Sequence, residues 1–265
     1  MLCIKSRGDN EVDSMKEFGD LVELMATLRG ESGCSWDKKQ TVSAFKTFLL
    51  EEVYELIEAI EKKDYAALKE ELGDLLFHIL FISQICKEEK QFDIKEVITS
   101  AYNKMYNRHP HVFLQIPMDK PIELKWEEIK KNEKEDYSPL ANIPKIIPAL
   151  LRAYIITRRV AKVGFDWPHL DDLYEKVFEE VDELRQAEST HNDLLIKEEI
   201  GDLLFTIVNV ARFHNVDPED ALRFTSEKFV RRFSYVEKKV DLKNSTLSTM
   251  DKLWNEIKGI EKKGE

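Results

Sequence analysis

Apolar residues recur at helical spacing along most of this chain, and strand-like alternation is missing. Leu49, Val53, Leu56, Ile57 and Ile60 follow the i, i+4, i+7, i+8, i+11 pattern, which predicts a helix with one buried stripe. The next apolar run, beyond a short connection at 61–69, is different. Its Leu72, Leu75, Leu76, Phe77, Ile79, Leu80, Phe81 and Ile82 surround nearly the whole circumference, which predicts a helix buried on most sides. Glycine is nearly absent between Gly33 and Gly164, so few positions invite a break.

Acids interrupt this second helix. Residues 70–77 read EELGDLLF, and at about 100° per residue Glu71 and Asp74 lie within about 60° of each other, beside Leu75, Phe81 and Ile82. The pattern therefore predicts buried or half-buried carboxylates. An unpaired carboxylate in an apolar setting costs several kcal/mol, so it must be protonated, paired with a base or bound to a cation. The first helix offers no base; along the edge of its stripe stand Glu51, Glu52 and Glu55. Antiparallel packing of the two helices would gather Glu52, Glu55, Glu71 and Asp74, and hard oxygen ligands of this kind suit Mg²⁺, with Mn²⁺ as an alternative.

The pattern then returns. Residues 198–205 read EEIGDLLF, preceded by VFEEVDELRQA at 177–187. Glu51, Glu52, Glu55, Glu71 and Asp74 recur as Glu179, Glu180, Glu183, Glu199 and Asp202, each 128 positions on, and Trp126 recurs as Trp254. GCSW at 33–36 matches GFDW at 164–167, and NKMYNRH at 103–109 matches EKFVRRF at 227–233. The chain reads as a tandem duplication: a flexible tail at 1–14, one helical domain at 15–132, a linker at 133–148 containing Pro139, Pro144 and Pro148, and a second helical domain at 149–265. A lone EExxE is usually a solvated helix face. Its pairing with ExxD sixteen residues after the third Glu, twice over, favours a metal site.

Composition narrows the setting. The net charge of −11 disfavours general nucleic-acid or anionic-membrane binding while suiting a protein that holds cations. The longest apolar run, LLFHILFI at 75–82, is far too short for a membrane span of about 20 residues, and the N-terminus carries no export signal. Cys3, Cys34 and Cys86 have neither paired nor metal-ligand spacing, which fits a reducing, cytoplasmic location.

Positive charge near the second set of acids points to phosphate. Lys176 lies one turn before Glu180, and Lys228, Arg231 and Arg232 form a compact basic group able to grip phosphate oxygens. His78 stands one turn after Asp74, but Thr206 replaces it in the second copy, so it reads as a packing histidine.

EEVYE…ELGD and EEVDE…EIGD are similar to the EExxE…ExxD signature of the MazG family of all-α nucleoside triphosphate pyrophosphohydrolases. NRHPHVF (107–113), VGFDW (163–167) and KFVRRF (228–233) resemble its two-domain members. The resemblance implies a helical bundle, a homodimer, and Mg²⁺-dependent hydrolysis of a nucleoside triphosphate to the monophosphate and pyrophosphate. It also implies that Glu180, Glu183, Glu199 and Asp202 are metal ligands, that Glu179 assists them or orients the attacking water, and that Trp254 contacts the nucleotide. The second copy is expected to carry most activity, because Lys176 and Arg231 align with Phe48 and Asn107 in the first. Two other readings share part of this pattern. A di-iron carboxylate bundle needs Glu-x-x-His within its motifs, which these lack; a non-catalytic nucleotide-binding scaffold would share the fold without turnover.

Overall fold

The computed structural model describes residues 17–117 and 137–264, with isolated positions between 121 and 129. Its described residues form ten α-helices and no strand. Contacts divide the chain into two compact units, residues 1–119 and 120–265. No helix among the described residues is long and apolar enough to cross a membrane.

The first unit comprises α1 (Phe18–Arg29), α2 (Phe45–Lys62), α3 (Tyr65–Glu88), α4 (Ile94–Arg108) and the short α5 (Pro110–Phe113). The second comprises α6 (Ala149–Ala161), α7 (Leu170–Thr190), α8 (Asp193–Phe213), α9 (Pro218–Glu237) and α10 (Leu247–Gly264). In each unit the acid-bearing helices are a hairpin with a two-residue link. Lys63 (φ 54°) and His191 (φ 52°) end α2 and α7 in the left-handed conformation. The next residue caps the following helix: Asp64 accepts from the amides of Ala66 and Ala67, and Asn192 from those of Leu194 and Leu195.

Met25, Phe45, Leu80, Phe81 and Ile85 form the core of the first unit. Leu173, Ala187, Val208 and Val236 are buried in the second. The expectation that the GDLLF helices are covered on most sides holds for one face only. Opposite the core of α3, Leu72, Leu76 and Ile79 remain 36–52% exposed, and their repeats on α8, Ile200, Leu204 and Ile207, are 45–50% exposed. Val53 and Ile60 of the predicted α2 stripe are also exposed. Among the described residues, nothing covers these faces of the two hairpins.

The segment that the sequence marks as a linker lies, from 137 onward, against the second unit. Arg159 of α6 donates through Nη1 to the carbonyls of Pro139 (3.2 Å) and Ala141 (2.9 Å). Residues 133–136 lie outside the described residues.

Candidate active site

Hairpin packing brings the acids of α7 and α8 together because they stand at comparable heights from the link, Glu180 and Glu183 before it and Glu199 and Asp202 after it. Carboxylate oxygens of Glu180, Glu199 and Asp202 lie within 4.8 Å of one another. Glu180 is only 4% exposed, and its Oε2 is buried without a hydrogen-bond partner. Glu199 is half-buried; desolvation raises its pKa, and the nearby charges of Glu183, Asp202 and Glu180 raise it further. Asp202 is exposed where α8 faces the cavity described below, and its repeat Asp74, expected to be buried or half-buried, is exposed as well.

Lys176 sits within this group. Its Nζ donates to Glu179 Oε1 at 2.8 Å, and it lies 2.9 Å from Glu180 Oε1 and 3.8 Å from Glu183 Oε2. The bonds to Glu179, then to Glu180, raise the lysine pKa, so the side chain stays charged. Glu183 is not within the converging group; it is drawn toward Lys176 instead.

A cavity of about 640 Å³ opens beside these acids. Lys176, Glu180 and Asp202 are part of its lining, and Leu140, Ile156, Val160, Phe165 and Trp167 supply apolar walls. Three buried polar side chains, Thr157, Thr206 and Asn209, also line it. The volume is that of a typical small-molecule site. The Gly164–Trp167 loop on its rim turns through Gly164 at φ 90°, a conformation that favours glycine. Asp166 anchors that loop: it accepts a two-pronged contact from Arg212, with Nη1 to Oδ2 at 3.0 Å, and its Oδ1 also accepts from the Trp167 amide. Arg212 in turn donates to Asn209 Oδ1, so loop, arginine and cavity wall are one network.

The first unit repeats the acids but not the cavity lining. Glu52, Glu55 and Glu71 converge within 4.8 Å, with Asp74 outside that group. Desolvation raises the pKa of Glu52, followed by Asp74 and Glu55; Glu71 is raised by desolvation, then by Glu55 and Glu52. At the positions of Lys176, Thr206 and Asn209 stand Phe48, His78 and Phe81. These rings form one cluster: Phe45 lies 4.7 Å from Phe81 and 5.3 Å from His78, and Phe48 lies 6.0 Å from His78 between centroids. His78 is thus packed as expected. Its desolvated ring has a lowered pKa, and its Nδ1 is buried without a hydrogen-bond partner.

The residues present fit a divalent cation. The donor set is all oxygen, and a buried carboxylate oxygen lacks any partner from the protein. The MazG nucleotide pyrophosphohydrolase domain matches residues 40–113 and 169–237, once over each acid hairpin. The chain belongs to this family. A MazG nucleoside triphosphate pyrophosphohydrolase/pyrophosphatase of Thermotoga maritima is 42% identical over 256 residues, covering 92% of this chain and 98% of that protein. The nucleoside triphosphate pyrophosphohydrolase of Escherichia coli K12 is 39% identical with the same coverage. An uncharacterized Bacillus subtilis protein, YabN, is 44% identical over 93% of this chain and 53% of its own length.

Several residues predicted for substrate lie elsewhere in the second unit of this MazG chain. Arg231 and Arg232 both bond Glu261 of α10, at 3.0 and 2.7 Å. Trp254 packs on Phe229 at 5.0 Å with Arg232 over its ring, and Lys228 lies over Phe224. Arg231, Arg232 and Trp254 hold α9 to α10, the Lys228 contact stays within α9, and none of the four is among the residues lining the cavity. The sequence pattern assigns no role to Thr157 or Asn209, and marks Trp167 only as part of VGFDW. The exchange of Asn209 for Phe81 between copies was the available signal.

Proposed function

We propose that the second unit hydrolyses nucleoside triphosphates to the monophosphate and pyrophosphate, by attack of water on the α phosphate. The observation that carries this reading is one cavity whose lining joins Lys176, Glu180 and Asp202 to apolar and aromatic side chains, among them Phe165 and Trp167. It combines a lysine and cation-holding acids for a triphosphate with walls for a nucleoside. Glu180, Glu183, Glu199 and Asp202 would hold Mg²⁺, with Mn²⁺ as a substitute. When bound, the cation neutralises phosphate oxygens and helps to orient them for displacement. Lys176 supplies a mobile positive charge next to the phosphates. Glu179, held at 2.8 Å by Lys176, is positioned at the edge of the cluster to take a proton from the attacking water. Thr206 and Asn209 offer hydrogen-bonding groups to the nucleoside, while Trp167 offers an aromatic face.

Activity is assigned mainly to the second unit because the first replaces Lys176, Thr206 and Asn209 with packed aromatic rings. The exposed stripes on α3 and α8 support a homodimer in which a second chain covers them. Lys228, Arg231, Arg232 and Trp254 remain candidates for phosphate or base contacts in such an assembly. The test is incubation with Mg²⁺ and each nucleoside triphosphate in turn. Pyrophosphate release is expected; release of orthophosphate alone would point to another hydrolase, and no turnover at any metal concentration to a non-catalytic binding protein.

A further inference from the structure

The two acid hairpins gather different members of the same motif: Asp74 lies outside the first converging group and Asp202 inside the second, and the third glutamate behaves oppositely. In the first unit, where Phe48 stands at the position of Lys176, the third glutamate of the motif, Glu55, joins the converging group. In the second unit its repeat, Glu183, does not; its Oε2 lies 3.8 Å from the Lys176 ammonium. The same ammonium takes Glu180 Oε1 at 2.9 Å and Glu179 Oε1 at 2.8 Å, while Glu180 Oε2 is left without a partner. One lysine thus engages three carboxylates, two of them proposed metal ligands.

We infer that Lys176 is an internal counter-cation which a divalent metal must displace from Glu180 and Glu183, so that the second site completes its ligand set only when a triphosphate arrives to receive the lysine. This rests on the metal-site reading above. A lysine ammonium carries one charge and three donors on a flexible stem, which lets it hold several carboxylates and then swing away. Its contacts lower the affinity for metal alone, because the metal must first break them. A triphosphate reverses the balance by offering phosphate oxygens to the released ammonium. Metal and nucleotide then strengthen each other's binding, a coupling that operates in both directions. The consequence is a site that stays closed to free cations yet loads readily with the metal–nucleotide complex. In the first unit, Phe48 has no charge to oppose the cation and no donor to offer a phosphate, so no such coupling is built there.

Mn²⁺ binding followed by electron paramagnetic resonance tests this without any turnover. All proteins carry Glu52→Gln and Glu71→Gln, so that the signal reports on the second site. Near pH 8, well above the usual carboxylate range, Lys176→Met is expected to bind Mn²⁺ about tenfold or more tightly than its parent, the loss of charge-assisted contacts being the competitor removed. A triphosphate with a methylene bridge between its α and β phosphorus atoms should tighten Mn²⁺ binding in the parent and do so much less in Lys176→Met. Lys176→Gln keeps a donor but no charge and should behave like the methionine variant; it decides the matter if circular dichroism shows Lys176→Met to be misfolded. Equal Mn²⁺ affinity in parent and variants, or an undiminished effect of the analogue in them, overturns the counter-cation and leaves the metal site standing. Failure of every protein to bind Mn²⁺, with or without the analogue, overturns both.

Discussion

Asn209→Phe would give the second unit the residue that the first carries at Phe81. Asn209 is 7% exposed on the cavity wall; its amide donates to the Phe205 carbonyl at 3.3 Å, and its Oδ1 accepts from Arg212 at 3.4 Å. Losing these long bonds costs about 1 kcal/mol each. A phenyl ring projecting into a cavity of about 640 Å³ has room to turn, and burying roughly 100 Å² more apolar surface returns about 2.5 kcal/mol. The unit should therefore keep its urea midpoint within the equivalent of about 1 kcal/mol. The nucleoside loses its place. Stacking and burial of one base are worth about 1–3 kcal/mol, so KM should rise by roughly fivefold to a hundredfold or more. Pyrophosphate release measured against substrate concentration, alongside Mn²⁺ binding in the absence of nucleotide, separates nucleoside binding from metal binding. KM should climb while metal affinity holds. An unchanged KM in a folded variant would refute the placement of the nucleoside in this cavity.

Glu180→Ala or Asp202→Ala should cut pyrophosphate release by about a hundredfold or more, while Glu52→Ala or Asp74→Ala leaves substantial turnover; the reverse order under saturating Mg²⁺ would reassign the active unit. Light scattering at micromolar concentration should give twice the chain mass, and Leu204→Glu, which places a charge on the exposed α8 stripe, should reduce it; a monomeric parent protein would count against the dimer. Arg29, itself 7% exposed, bonds Glu88 through Nη2 at 2.7 Å and lowers its pKa, with Gln84 adding to the effect. A depressed carboxylate contributes stability above its ordinary value of 4.5 that is lost as pH falls through the lower folded value. Since Glu88 is 37% exposed, solvent screening limits the loss in Glu88→Gln to about 1 kcal/mol near neutrality. The difference in urea midpoint between the two proteins should close in acid; a gap that stayed constant with pH would deny the ion pair this role.

The helices and the acid hairpins were legible because both are local: apolar spacing sets the buried face, and the 128-residue recurrence fixes the acids on matching turns. What periodicity could not reveal was which partner each charge would find. Arg231 and Arg232 read as phosphate ligands, yet both bond Glu261, about 30 positions on and on the neighbouring helix α10. Burial on the second face of α3 and α8 was overestimated for the same reason, since a circumferential apolar pattern shows that cover is needed and not whether the same chain supplies it. The cavity was missed because its lining is gathered from α6, the Gly164–Trp167 loop, α7 and α8, and no single window of sequence contains it.

The two-residue links, Lys63–Asp64 and His191–Asn192, are exposed and polar, the kind of place where an insertion is usually harmless. Here they act as a rigid indexing joint. One residue added at the link and absorbed into α8 would rotate its acids by about 100° and advance them by about 1.5 Å relative to α7. Glu199 would turn away from Glu180 while every helix survived. Tolerance to length change in this protein should therefore run against surface exposure, and a tag or a fused domain belongs at a chain end or on the α9–α10 connection rather than at either hairpin tip.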